Sequence, residues 1–371
     1  MGFKSLLAGV CSVAFAWTAG AQLTGKTVQP RAPDKVDTAC QRAVEFLMAS
    51  QDGSGAINDA DKRHAYNNPM TALSVMALAA IGNQPSDTTR EGECMRRALQ
   101  FLVRPATDRS SDAAGFPGYL GGDDSSRMYG HGITALALTE MLGMGIDKAQ
   151  DRLIREKTQR AIDLTLRSQR VRKFDHRFTG GWRYTPESGD ADLSVSVWHL
   201  MALRSAKNAG ILVPKESIDL AVGYLRRSYE SRRDAAGRPT DMKSGFAYTP
   251  GQGPTFAMVA AGLLAMQICG QYDAPEVIGA ANWLREHPLT YSDRWFFYGI
   301  YYYAQGMHKR GGDFADLARR KTESLLLPKQ EANGAWIAED GQERGCGRVY
   351  CTALAVLSLS VKYHFLPIYQ D

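Results

Sequence analysis

The chain has 371 residues, 44% of them hydrophobic and 22% charged, a composition that supports one large buried core or two modest ones and excludes a disordered chain. Its 44 Lys and Arg against 39 Asp and Glu leave a net charge of +5, spread along the sequence without a long basic run, which excludes a dedicated nucleic-acid surface.

In chain order the first segment is a separate object. "MGFK" is a short positive start, "SLLAGVCSVAFAWTAG" an apolar run too short and too broken to span a bilayer well, and Ala19-Gly20-Ala21 supplies small residues before Gln22. Residues 1–21 therefore read as a cleaved signal peptide, and residues 22–371 as a single domain in the periplasm or outside the cell. "LAGVC" puts Val10 where a lipoprotein box needs a small residue, so Cys11 is not expected to carry a lipid. No later stretch is apolar and long enough to cross a membrane.

Five cysteines follow: Cys40, Cys94, Cys269, Cys346 and Cys351. An odd count leaves at least one thiol free, and Cys269 in "LLAMQICG" reads as a small buried apolar residue. Cys40 and Cys94 occupy similar places in consecutive helices and are expected to form a disulfide in an oxidising compartment. Cys346 reads as a turn residue or as half of a disulfide with Cys351.

The strongest signal is internal repetition, about every fifty to sixty residues. Each unit opens on a helix with a polar stripe and an A-x-x-aromatic-L pattern: "AVEFL", "ALQFL", "AIDLTL", "AVGYL", "AANWL" and a degenerate "ESLLL". A glycine-rich turn follows in most units, as in "GSGAI", "AGFPGYLGG", "GGWRY", "SGFAY" and "NGAW", though not in the fifth. A second helix then begins near Thr71, Thr134, Ser194, Thr255, Phe297 and Thr352, apolar on most faces and so buried. Six hairpins with wet outer and buried inner helices, and no polar capping repeat, predict an all-α (α/α)6 toroid in which the last hairpin packs on the first.

With "GGWRYTPESGDADLSVSVW" as its best single stretch, this pattern resembles the repeats of the terpenoid cyclase and protein prenyltransferase superfamily over nearly the whole mature chain. The resemblance implies a toroid with a site where the turns meet the N-termini of the inner helices, whose partial positive charge favours carboxylates and anions. Class II cyclases carry D-x-D-D-T-A there. The matching stretch here is Asp190-Ala191-Asp192-Leu193-Ser194-Val195, so Asp192 takes the place of the proton donor while Leu193 replaces the third acid. An acid able to protonate an alkene needs a dry pocket and partners for the carboxylate it leaves, and His131 and His199 are the candidates. The competing reading is that Asp192, at the mouth of an apolar helix, is its N-cap.

The zinc set of the prenyltransferases is missing, since Cys351 stands where their His belongs and Gly251 and Gly253 where their Asp and Cys belong. "GCGRV" has Val349 where the thioester domains need Gln. No metal and no cofactor is therefore expected. Remaining candidates for a cavity are Trp182, Arg183 and Tyr184; Asp123, Asp124 and Arg127; and Tyr298 and Tyr301 in the aromatic fifth inner helix "RWFFYGIYYYAQGM", which reads either as packing or as a wall for sugars or a cation.

Two function classes remain. One is a toroid that binds an apolar, peptide or glycan ligand, or a protein partner, in its central cavity without the family's chemistry. The other is an enzyme: a cyclase-like isomerase using Asp192, or a polysaccharide lyase or hydrolase using acids and aromatics at the cavity mouth. A closed dry chamber above Asp192 supports the cyclase, and an open polar groove supports glycans.

Overall fold

Helices of two kinds alternate along the chain, and their composition decides which way each faces. The computed structural model describes residues 32–63, 65–105, 115–363 and 365–370, and every element below belongs to the unit Asp34–Asp371. Residues 1–21, read as the signal peptide, lie outside the described residues. The outer helices are α1 (Lys35–Ala49), α3 (Arg90–Val103), α5 (Lys148–Gln169), α7 (Lys215–Ser228), α9 (Pro275–Glu286) and α11 (Gly312–Leu326). Between them run the inner helices α2 (Asn67–Ala80), α4 (Arg127–Glu140), α6 (Leu193–Asn208), α8 (Phe256–Ile268), α10 (Phe296–Arg310) and α13 (Arg348–Leu359), the last preceded by a single turn, α12 (Gly341–Arg344).

In α11 only Ala318, Thr322 and Leu326 are buried, one stripe at four-residue spacing, whereas α8 buries everything from Ala257 to Ile268. The inner helices pack in sequence, α2 on α4, α4 on α6, α6 on α8, α8 on α10 and α10 on α13, and α13 returns to α2. The ring is closed. Among the described residues there is no strand, only isolated bridges, so the fold is the (α/α)6 toroid expected from the repeats.

The glycine turns explain how one hairpin is fastened to the next. Gly180 has φ +89°, and a Cβ there would lie 2.1 Å from the carbonyl oxygen of Leu220 in the following outer helix; Gly55 and Gly118 make the same approach to Arg97 and Arg160. Gly334 closes the circle against the carbonyl of Arg42 in α1. A glutamine at the end of the preceding outer helix bridges the joint: Gln169 Nε2 donates to the carbonyls of Gly180 and Ser217, and Gln51 and Gln330 do the same for Gly55 with Cys94 and for Gly334 with Ala39. Two residues past the glycine, the indoles of Trp182 and Trp336 donate to the carbonyls of Thr165 and Leu326.

The backbone N–H at that position also corrects the alignment of the inner helices. Ile57, Trp182 and Trp336 donate to the hydroxyls of Thr71, Ser196 and Thr352, so Ser196 is the repeat equivalent, not Ser194. Ser194 is thereby released for the site described below.

Cys40 and Cys94 form no disulfide; both are free buried thiols, as are Cys346 and Cys351 free. The charges that act on Cys40 are Lys362, Asp37 and Asp34, and those that act on Cys94 are Arg97, Glu91 and Glu93, so the two thiols face different surroundings although their helices are neighbours in the ring. Burial pushes them up to about 12 and about 11, as expected of small apolar core residues.

Among the described residues, aromatic side chains occupy the axis where a central cavity is expected. Trp198 stacks on Tyr301 with ring centroids 5.6 Å apart, Tyr302 tilts against both, and Tyr298 packs edge-on to Tyr302; all four are buried. At the C-terminal ends of the inner helices, residues 365–370 fold across the barrel. The Tyr369 and Tyr301 hydroxyls are hydrogen-bonded, and the Ile368 N–H donates to Glu140 Oε2 at 3.0 Å. The hollow beside this tail, lined by Ala80, Gln305, Ser360, Leu366 and Tyr369 among others, would hold about one water molecule.

Two buried carboxyls, Glu140 beneath this tail and Glu343 at the opposite end of the inner helices, set a pH dependence. Burial raises Glu140, which accepts from the Ser205 hydroxyl and Ile368, and Glu343, which accepts from α10 backbone amides, each from 4.5 to about 7. A carboxyl with a raised folded-state pKa binds its proton more tightly in the folded state. Its contribution is therefore fully present below pH ~4.5 and is lost as pH rises toward ~7, by up to about 3 kcal/mol per group. In Glu140→Gln the side-chain oxygen still accepts from Ile368 and the amide donates to Ser205. Urea unfolding from pH 4.5 to 8 is expected to show the variant gaining on the native protein as pH rises; a constant difference across the range would contradict the assignment.

Candidate functional site

Where the turns meet the inner-helix N-termini, the positive ends of several dipoles converge on one pole of the toroid, and carboxylates occupy them. Asp192 caps its own helix, Oδ1 accepting from Val195 N–H at 2.9 Å. The others reach across hairpins: Asp124 Oδ2 accepts from Asn68 N–H at the start of α2 at 2.7 Å, Glu343 from Phe297 and Tyr298 N–H in α10, and Asp59 from Val349 N–H in α13 at 3.1 Å. The last contact spans the seam between the first and sixth hairpins. These four acids are thus engaged as helix caps, satisfying donors that have no partner within their own helix.

Around Asp192 the arrangement is denser. Its carboxylate is wholly buried, and Oδ1 also accepts from the Ser194 hydroxyl at 2.6 Å. The Ser194 hydroxyl in turn accepts from Tyr129, while the Tyr298 hydroxyl donates to the Ser194 carbonyl at 2.7 Å. Oδ2 lies 3.3 Å from Arg183 Nε, an ionic contact not aligned as a hydrogen bond, and Arg183 Nη1 lies 3.2 Å from Asp190 Oδ2. Burial raises the Asp192 pKa, opposed by the Ser194 hydroxyl, the Val195 amide and the Arg183 guanidinium.

Above this pair the Arg183 guanidinium lies over the rings of Tyr184 and Tyr248, 4.9 and 5.5 Å from their centroids. Those two hydroxyls are hydrogen-bonded to each other, and Tyr129 stacks on Tyr184 at 6.1 Å. Arg183, Tyr184, Tyr248, Tyr129 and Asp190 are partly exposed, and together they form an open, polar, aromatic floor over Asp192.

Other sequence candidates lie elsewhere. His131 and His199 stack on each other and His199 on Trp182 inside the core; their hydrogen bonds go to Leu120 N–H, Ala161, Thr165 and Met128, not to Asp192. Burial pushes His131 down to about 4 and His199 well below its ordinary value, so neither is the charged partner an acid catalyst would use. Trp182, Tyr298 and Tyr301 are likewise core residues. Asp123 and Arg127 are exposed, while Asp124 is held as a cap and by the Ser126 hydroxyl. Asp190, Asp192, Arg183 and Tyr184 are the candidates that the structure brings together.

Tyr129, Tyr248 and Ser194 complete the cluster without having been singled out. The signal for Tyr248 was present: Gly180-Gly181-Trp182-Arg183-Tyr184 and Ser244-Gly245-Phe246-Ala247-Tyr248 are the same turn in consecutive hairpins, so both tyrosines stand at one repeat position. No group of three or more His, Cys, Asp or Glu that could hold a metal ion occurs among the described residues, and no helix among them is long and apolar enough to cross a membrane.

No protein-family model and no curated protein matches the sequence. Solved structures do match. An inactive variant of the alpha-1,6-mannanase GH76A of Salegentibacter sp. HEL1_6, in complex with alpha-1,6-mannotetrose, aligns with TM-score 0.58 at 10% identity over 89% of this chain and 99% of that one. The type II terpene cyclase MstE of Scytonema, in complex with geranylgeranyl dihydroxybenzoate, aligns with TM-score 0.55 at 16% identity over 90% and 98%. A glycosidase in complex with glucose gives 0.57 at 12% identity over 90% and 98%. The chain shares the α/α-toroid fold of these structures. At such identities the likeness carries the fold alone, and the same toroid holds sugar and isoprenoid chemistry in these neighbours.

Proposed function

We propose that this toroid is a saccharide-binding protein whose ligand is met at the open mouth formed by Arg183, Tyr184, Tyr248, Tyr129 and Asp190, without the acid chemistry of the cyclases. The observation that carries the reading is the site's form: partly exposed tyrosine rings braced by an ion-paired arginine, over a buried Asp192. Tyrosine rings pack against the C–H faces of sugars while adjacent Arg and Asp groups meet hydroxyls, whereas an isoprenoid needs enclosed apolar surface. The filled axis and the capping role of Asp192 speak against alkene protonation. Neighbours that act on glycans agree with the reading at the level of scaffold. Residues 1–21 as a signal peptide and residues 22–371 as the mature domain fit a periplasmic or secreted protein that meets glycans outside the cytoplasm.

A second reading rests on the adjacent acids Asp123 and Asp124: the inactive mannanase variant carries alanine in place of two adjacent aspartates. Against hydrolysis, Asp124 is already held by Asn68 N–H and Ser126. Binding of an oligosaccharide panel, followed by tyrosine and tryptophan fluorescence alongside product analysis, separates the two. Binding without turnover that weakens about tenfold in Tyr184→Ala supports the proposal. Release of reducing ends that disappears in Asp123→Asn would replace it with the hydrolase.

A further inference from the structure

The loop between α5 and the 3-10 turn His176–Phe178 holds an aromatic ring in solvent. Phe174 is 87% exposed, yet its backbone is pinned: its N–H donates to Gly189 O at 2.8 Å, and Lys173 Nζ donates to the carbonyls of Ser188 and Asp190. The ring rests on Gly189, where a Cβ would come within 2.5 Å of it. Gly189 immediately precedes Asp190, so the ring stands at the rim of the mouth. Fixing an exposed aromatic in advance lowers the entropic cost of stacking a ligand on it.

Charge gives the ligand's sign. Residues 170–177 carry Arg170, Arg172, Lys173 and Arg177 against the single carboxylate of Asp175, which is shared with Arg177 and His176. Arg170 and Arg172 are exposed and form no ion pair among the described residues, and Asp190 behind the loop is already paired with Arg183. We propose that this rim selects acidic saccharides, Phe174 stacking on a sugar ring while Arg170, Arg172 and Arg177 meet its carboxylate or sulfate groups. The inference rests on the mouth being a saccharide site and adds the class of saccharide. A lipid surface fits less well, because a single ring flanked by half-buried Val171 and Phe178 offers little apolar area to an interface.

The full chain is titrated calorimetrically with oligogalacturonate, sulfated dextran oligomers, neutral dextran oligomers, and vesicles of phosphatidylglycerol with phosphatidylcholine. At least one acidic oligomer is expected to bind more than tenfold tighter than the neutral one, with affinity falling as salt rises. Phe174→Ala should weaken it about tenfold and Arg172→Ala several-fold, both with unchanged thermal unfolding, since neither side chain is buried. The oligogalacturonate and sulfated-dextran arms separate carboxylate from sulfate recognition. Neutral and acidic oligomers bound alike, or full affinity in Phe174→Ala, overturns this inference and leaves the mouth as a saccharide site. Failure of every oligomer overturns both readings, and vesicle binding lost in Phe174→Ala replaces the acidic saccharide with a membrane surface.

Discussion

Replacing Gly334 by alanine is expected to destabilise the protein by about 3 kcal/mol or more, because two separate costs fall on one atom. The residue has φ +90°, a conformation that an L side chain adopts only with strain, and the new Cβ would sit 2.2 Å from the carbonyl oxygen of Arg42. That carbonyl belongs to α1, so relief requires the sixth hairpin to move away from the first. The seam has other fasteners that would be disturbed with it: Gln330 bridges Gly334 and Ala39, Arg42 donates to the carbonyls of Glu331 and Ala332, and Asp59 caps α13. Gly53→Ala is the control, since a Cβ there meets nothing within 4 Å, and it should change stability by less than about 1 kcal/mol. Urea unfolding of the two variants decides the matter; equal midpoints would show that ring closure does not depend on the approach of Gly334 to α1.

At Asp192, alanine and asparagine are expected to part company. Alanine removes the N-cap of α6, leaves the Ser194 hydroxyl without its acceptor and withdraws one of the two carboxylates facing Arg183. The cap is worth about 1 kcal/mol. Arg183 is 23% exposed and keeps Asp190, so the stranded charge adds less than a fully buried one, for a total of about 2–3 kcal/mol. Asparagine keeps an oxygen for Val195 and Ser194 but turns an amide donor toward Arg183, so about 1 kcal/mol is expected. Thermal unfolding with binding measured in parallel tests this ordering. Loss of a catalytic turnover in Asp192→Asn at unchanged stability would reverse it and restore the proton-donor reading.

The repeat made most of the fold legible. Alternation of striped and wholly apolar helices distinguishes outer from inner elements because burial on one face or all faces is written in composition, and six such pairs without polar caps leave closure as the way to bury the end units. The disulfide expectation failed because equivalent places in two helices do not determine which way each thiol points, and here Cys40 and Cys94 point into different surroundings. The alignment of inner helices on Ser194 failed by two residues for a similar reason. Spacing along a chain cannot show which hydroxyl receives the turn amide, and the hydrogen bond from Trp182 goes to Ser196.

The site was legible by position and not by role. That "GDADLS" stands at an inner-helix mouth followed from the repeats alone, and that Tyr184 and Tyr248 share one turn position could have been read there. Whether a carboxylate at that mouth is an acid or a cap depends on what lies above it and what lies beside it, and those residues come from far along the chain: Tyr129 in α4, Tyr248 before α8 and Tyr298 in α10. The sequence by itself determined the hairpins, their order and the end of the toroid where acids gather, because these follow from local periodicity and helix-end chemistry. The tertiary structure alone decided that the axis is filled and that Asp124, Glu343 and Asp59 are spent on helix amides across hairpin boundaries, because packing volume and hydrogen-bond partners arise only when distant residues meet.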